Sequence, residues 1–230
     1  MGATRHRAVL FDLDGTLLDT VPDLACSVNR MLSELRMPEL SEQVVATFVG
    51  RGIGKLVERS LGRIAGGDVS AEQLQSAMAI FERCYGEESG RRSRPYPGVE
   101  QGLRLLAEAG MPMGVVTNKA ARFTRGLIKS SGWERYFPVV VSGDTLAVKK
   151  PDPLPVRYAC EQLSVAPGQT LFIGDSRHDV AAGHGAGCTV WCVPYGYNEG
   201  ESVESLDCDD IVPDLEAAAQ RVLNGKSGPV

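Results

Sequence analysis

The chain has 230 residues, 43% of them hydrophobic, and a formal net charge of −5. That is enough apolar material for one large core, or for a core carrying a smaller inserted unit. The acidic balance argues against a surface built for nucleic acid or for an anionic membrane, both of which call for a concentrated basic patch, and makes small molecules the expected partners.

Six cysteines (Cys26, Cys84, Cys160, Cys188, Cys192 and Cys208) are scattered without a C-x-x-C pair. A chain of this size needs no disulfide framework, so they read as small buried hydrophobes in a reducing compartment. The start is basic (Arg5, His6, Arg7), but Asp12 and Asp14 break the apolar run that follows. It fails as a signal peptide or membrane span, and a soluble, cytoplasmic protein is expected.

The first apolar run is AVLF (8–11), followed at once by DLDGT (12–16). Residues 20–93 then read as helices only. DLACSVNRMLSEL places Leu24, Val28, Met31, Leu32 and Leu35 at helical spacing, and SAEQLQSAMAIFERCY does the same with Leu74, Met78, Phe81 and Tyr85. Ser70 and Gln73 form a capping box for the second of these. The Arg-rich SGRRSRPYPG (89–98) returns the chain, and the helix-like VEQGLRLLAEAG follows, closing on Gly110. MGVV (113–116) then leads into TNK, PVVV (138–141) into SGD, and TLFI (170–173) into GDS, with the helix-like DPLPVRYACEQLSV (152–165) before the last. Continuous apolar runs of this length suit strands covered on both faces. Their alternation with helices predicts an α/β fold, a doubly wound parallel sheet with a Rossmann-like core made of residues 1–19 and 94–230, and an inserted helical cap at 20–93. The tail GKSGPV is expected to fray.

In a doubly wound sheet, ligands bind beyond the carboxyl ends of the strands, where each polar cluster above begins. Asp12 and Asp14 would repel unless a cation or a shared proton relieves them. Oxygen ligands with no neighbouring His or Cys set favour Mg²⁺. GDSRHD adds Asp175 and Asp179, Lys150 adds a fixed positive charge, and Thr117 with Asn118 adds short donors. Singly these are a turn, a strand exit, a loop and a helix start. Together they describe a phosphoryl-transfer site able to form an aspartyl-phosphate.

DLDGT, VTN (116–118), Lys150 in KKPDP and GDSRHD (174–179) resemble the four motifs of the haloacid dehalogenase superfamily. The resemblance implies that Asp12 is the nucleophile and that Asp14 protonates the leaving alkoxide and then deprotonates water. It further implies that Asp12, Asp175 and the backbone carbonyl of Asp14 hold Mg²⁺. Thr117, Asn118 and Lys150 would bind phosphoryl oxygens, with Asp179 supporting Lys150 or metal-bound water. Asp14 favours phosphate esters over the dehalogenase and phosphonatase chemistries of the superfamily, whereas its phosphoglucomutase-like members keep both aspartates. The segment FVGRGIGKLVERSL places Arg51 between Gly50 and Gly52, with Lys55 a turn later. This group either meets a small carboxylate such as that of 2-phosphoglycolate or forms a solvated helix start. Phosphorylated cell-wall sugars are the competing substrates. His178 and His184 depart from the pattern of the most similar members and would act on the pH profile. A phospho-Asp receiver switch gathers similar groups, but needs about half this length and has no helical insertion. Whether the chain is a monomer or a homodimer is left open.

Overall fold

The computed structural model describes residues 6–225. Residues 226–230 of the tail expected to fray, and Arg5 of the basic start, lie outside them.

Strand β1 (Ala8–Phe11) is wholly buried, and it is buried on both faces. Val9 and Phe11 join one apolar cluster, Leu10 the other. This explains why AVLF carries no polar residue: alternate side chains enter different layers of helices, and either layer would reject a polar group.

After a two-residue strand β2 (Leu18–Asp19) come four helices, α1 (Val21–Glu34), α2 (Glu42–Ala46), α3 (Ile53–Ala65) and α4 (Ala71–Glu88), and then a second short strand β3 (Arg94–Pro95). The helices bury a cluster of their own around Met31, Leu32, Val45, Val57 and Phe81. Ser70 and Gln73 close the capping box on α4 in both directions. The sequence reading missed β2 and β3, which pair antiparallel where the chain leaves and re-enters the sheet. Two residues are too few to show a period. The same crossing is clasped by buried Asp23, which accepts hydrogen bonds from the backbone N–H groups of Gly90, Arg92 and Ser93 and from the Ser93 hydroxyl at 2.6–3.0 Å.

The chain continues through α5 (Val99–Glu108), β4 (Met113–Val116), α6 (Ala121–Ser130), β5 (Val139–Val141), α7 (Leu154–Gln162), β6 (Thr170–Gly174), α8 (Arg177–Ala186), β7 (Thr189–Cys192), β8 (Asp210–Ile211) and α9 (Leu215–Asn224). The six-stranded sheet runs β5-β4-β1-β6-β7-β8, every pair parallel. Side chains of α5, α6 and α9 cover one face, and those of α7 and α8 the other. Winding proceeds outward from β1 to β5, then restarts on the other side of β1 at β6. The reversal leaves a crevice at the carboxyl ends beside β1. All six cysteines are free thiols, four of them buried. Among the described residues no helix is long and apolar enough to cross a membrane.

Helices α5 and α9 meet at Gly102, where a Cβ would lie 2.5 Å from the Leu215 carbonyl oxygen. Backbone cannot rotate out of the way, so overpacking of about 1–3 kcal/mol exceeds the ~1 kcal/mol that alanine gains in helix propensity. Gly102→Ala is therefore expected to lower the thermal unfolding midpoint by a few degrees, read by circular dichroism. An unchanged or raised midpoint would contradict this close packing.

Candidate active site

The backbone N–H of Asp12 donates to the Ile173 carbonyl at 2.9 Å, so pairing with β6 continues one residue past β1 and fixes Asp12 at the sheet edge. The chain then turns at Gly15, which has φ +89 and passes so near Asp175 that a Cβ would lie 2.5 Å from its Oδ2. Only glycine satisfies both conditions. The turn sends Asp12 and Asp14 to different cations. Asp12 Oδ1 accepts from the Leu13 N–H at 2.7 Å and lies 2.8 Å from Lys150 Nζ. Asp14 Oδ1 accepts from Lys119 Nζ at 2.9 Å and from the Thr20 hydroxyl at 2.6 Å.

Lys150 is buried and its three donors are all engaged, by Asp12, by Asp179 Oδ1 at 2.6 Å and by the Val116 carbonyl at 2.7 Å. As arranged it fixes the carboxylates, and the phosphoryl-binding role that the resemblance implies would require one of these donors to turn to substrate. Asp179 Oδ2 accepts from the Ser176 hydroxyl at 2.6 Å and from its N–H at 3.1 Å, closing a capping box on α8. Asp175 accepts from the Thr16 hydroxyl at 2.9 Å and from the Tyr197 N–H at 2.8 Å.

Asp12, Asp175 and Asp179 can each present an oxygen within 4.8 Å of the others. Burial, with smaller contributions from Asp179 and Asp175, outweighs Lys150 and pushes the Asp12 carboxyl up to about 8. Burial and then Asp179 push Asp175 to about 7. Three formal negative charges face the single positive charge of Lys150, and the remainder equals the charge of one divalent ion. An all-oxygen donor set with this deficit fits a hard divalent cation. Because Asp179 is saturated by Lys150 and Ser176, Asp12 and Asp175 are the carboxylates placed to be its ligands.

Thr117 is buried, its N–H bound to the Val141 carbonyl at 2.9 Å, and it lines the cleft beside Asp12 and Asp14. Asn118 also lines it, but its side-chain amide donates to the carbonyls of Gly50 and Lys150 at 2.9 and 3.0 Å, tying the helical insertion to the sheet edge. Sequence reasoning passed over Lys119, although it stands next in TNK. It is buried, contacts Asp14, and lies 4.9 Å from the centroid of Tyr85 on α4. Burial opposes its charge, but Asp14 and Tyr85 more than offset this and raise its pKa. Thr16, Thr20 and Tyr197 were missed too, and no motif marks Tyr197.

Arg51 and Lys55 are not among the residues lining the cleft. Arg51 pairs with Glu199 of the β7–β8 connection at 2.8 Å, and Lys55 with Glu58 at 2.7 Å. The expected cationic arm is thus occupied by the protein's own carboxylates, and the insertion faces the cleft with Gly50, Gly52 and Ile53 beneath Leu24, Val49 and Leu56. His178 is buried, which lowers its pKa below 6.5 against the opposing effect of Glu199 3.7 Å away. His184 pairs with Asp209 at 3.0 Å in the last turn of α8, at the end opposite Asp175.

Residues 9–193 match the model of the haloacid dehalogenase-like hydrolase family, and the chain belongs to that family. It is 47% identical over 216 residues to a phosphoglycolate phosphatase of Nitrosospira multiformis, covering 94% of this chain and 95% of that one. A phosphoglycolate phosphatase of Thiobacillus denitrificans is 45% identical with the same coverage. A crystal structure from Haemophilus somnus, described as a predicted phosphoglycolate phosphatase, superposes with a TM-score of 0.89 at 33% identity, covering 95% of this chain and 99% of that chain.

The raised carboxyls have a sign that can be checked. Their unfolded value is near 3.8, and in the folded protein they hold protons up to about 7 and 8. The folded state therefore binds more protons than the unfolded one between those limits, and their contribution to stability falls as pH rises across that window. In chelator-treated protein the melting temperature is expected to drop from pH 5 to pH 8, and Asp175→Asn to flatten the drop. An equally steep profile in the variant would contradict the assignment.

Proposed function

We propose that this protein is a Mg²⁺-dependent phosphatase that converts 2-phosphoglycolate to glycolate and phosphate through an aspartyl-phosphate on Asp12. The observation that carries the reading is the separation of the two motif aspartates, Asp12 on Lys150 beside Asp175 and Asp14 on Lys119 and Thr20. One carboxylate is thereby oriented for attack and the other for proton transfer.

Asp12, Asp175 and the backbone carbonyl of Asp14 would hold Mg²⁺, which when bound neutralises phosphoryl charge. In the first half-reaction an Asp12 oxygen bonds to phosphorus, the ester P–O bond breaks, and Asp14 gives its proton to the departing alkoxide. In the second, Asp14 takes a proton from a water whose oxygen attacks the same phosphorus, releasing phosphate and restoring Asp12. Lys119 and Thr20 keep the Asp14 carboxyl oriented throughout. Thr117 and the backbone at Asn118 bind the phosphoryl oxygens, and Lys150 keeps Asp12 and Asp179 in register.

Several features support a small carboxylated ester. The cleft lies between the sheet edge, with Asp12, Asp14, Thr117 and Asn118, and the insertion, with Gly50, Gly52 and Ile53, so on this reading the insertion is a cap over the substrate. Helix α3 begins at Ile53, a cleft residue, and its first-turn N–H groups favour an anion. We assign the substrate carboxylate to that helix start, while Arg51 and Lys55 stay paired with Glu199 and Glu58. The relatives named as phosphoglycolate phosphatases point the same way.

A phosphate-release assay with Mg²⁺ over 2-phosphoglycolate, sugar phosphates, pyrophosphate and nucleotides tests the substrate. 2-Phosphoglycolate should give the highest kcat/KM, and a sugar phosphate ahead of it would overturn the name while leaving the chemistry. Asp12→Asn should lower kcat by at least about 10³-fold with no loss of melting temperature.

A further inference from the structure

Glu199 is used by no step above, yet much of its surroundings serve to place it. It sits in the connection after β7 with φ 53, directly after Asn198 at φ 35, both in the left-handed region that non-glycine residues seldom adopt. Buried Asn198 holds this conformation: its Oδ1 accepts from the Arg177 N–H at 3.2 Å, and its amide donates to the carbonyls of Glu201 and Ser202 at 3.1 and 3.3 Å. The result is a core carboxylate, its side chain only 9% exposed, clasped by two arginines of the insertion. Arg51 Nη2 donates to Oε2 at 2.9 Å, while its Nε makes an ion-pair contact with Oε1 at 2.8 Å. Arg59 Nη1 lies 2.6 Å from Oε1. The other ion pair between insertion and core among the described residues, Arg122 with Glu82, is more exposed.

The same loop reaches the reacting groups. The Tyr197 N–H donates to Asp175 at 2.8 Å, and its hydroxyl donates to Asp19 at 2.7 Å and accepts from the Thr20 N–H at 2.8 Å. Thr20 in turn holds Asp14. Gly196 packs so tightly on Asp175 that a Cβ there would come within 2.2 Å of the Asp175 Cβ. Gly196, Tyr197 and Glu199 thus touch a candidate metal ligand, the crossing between sheet and insertion, and the insertion itself.

We propose that Glu199 is a positioning residue: its ion pairs with Arg51 and Arg59 seat the insertion over the cleft, and Tyr197 relays the loop's placement to Asp175 and Thr20. The seated fraction scales the apparent affinity for substrate, because only the seated form encloses it. The pairs are partly exposed, so salt weakens them. The kinetic part of this inference rests on the phosphatase reading; the conformational part does not.

The test compares Glu199→Gln, Arg59→Gln and the double variant with the wild type. Each single change should raise KM for 2-phosphoglycolate by about fivefold with kcat within about twofold, and the double variant should be no worse than the stronger single one. About 0.5 M NaCl screens the anionic substrate in every form, but it should raise the wild-type KM more than that of Glu199→Gln, so that the ratio of the two narrows. In substrate-free protein, amide hydrogen exchange over residues 50–57 should quicken in Glu199→Gln while α5 and α9 keep their protection. An unchanged KM together with unchanged exchange, additive effects in the double variant, or protection lost equally in α5 and α9 would overturn the proposal. A wild type that ignores 2-phosphoglycolate would refute the function alone, since exchange still reads the seating.

Discussion

Three buried carboxylates within reach of one another cannot share the end of a parallel sheet without positive charge, and Lys150 is the charge that the chain itself supplies. Its ammonium touches Asp12, Asp179 and the carbonyl of Val116, and so joins the ends of β1 and β4 to the first turn of α8. Burial works against a lysine's charge, yet Asp12 and Asp179 more than offset it and raise its pKa. The balance is incomplete by design: the raised carboxyls of Asp12 and Asp175 register the shortfall that Mg²⁺ is proposed to fill. Asp14 is held apart from these three carboxylates, on Lys119 and Thr20.

This charge arrangement depends on backbone placed within tenths of an ångström. Gly15 lets the first loop pass against Asp175, Gly174 leaves room for Asp179, and Gly196 lets the last loop close from the other side. A methyl group at any of the three would meet a carboxylate at 2.5 Å or less. The insertion is held by contacts from the loop after β4, Asn118 on Gly50 and Lys119 beneath Tyr85, and from the last of these loops, Glu199 between two arginines. Chemistry and enclosure are therefore coupled through shared residues.

Much of the architecture was legible in the sequence because its causes are local. AVLF, MGVV and TLFI are strands since both faces are covered, and the polar residues after them reach one edge because parallel strands end together. The capping box at Ser70 and the left-handed Gly110 after α5 also follow from neighbours in sequence. The unread parts have distant causes. Glu199 lies 148 positions from Arg51, and no spacing rule joins them. Lys119 meets Asp14 only because the turn at Gly15 rotates the second aspartate away from the first. Arg51 between two glycines, with Lys55 a turn later, left a substrate clamp and a solvated helix start both open, and their partners in the fold are Glu199 and Glu58.

The central claim is that Asp12 attacks while Asp14 moves protons. The most direct measurement of it is pre-steady-state release from p-nitrophenyl phosphate by Asp14→Asn with Mg²⁺ present. Nitrophenolate leaves without a proton, so the variant should release a burst of about one equivalent per enzyme and then stall, with one phosphoryl group found by peptide mass spectrometry on Asp12. Steady turnover without a burst, or a phosphoryl group on any other residue, would contradict the division of labour.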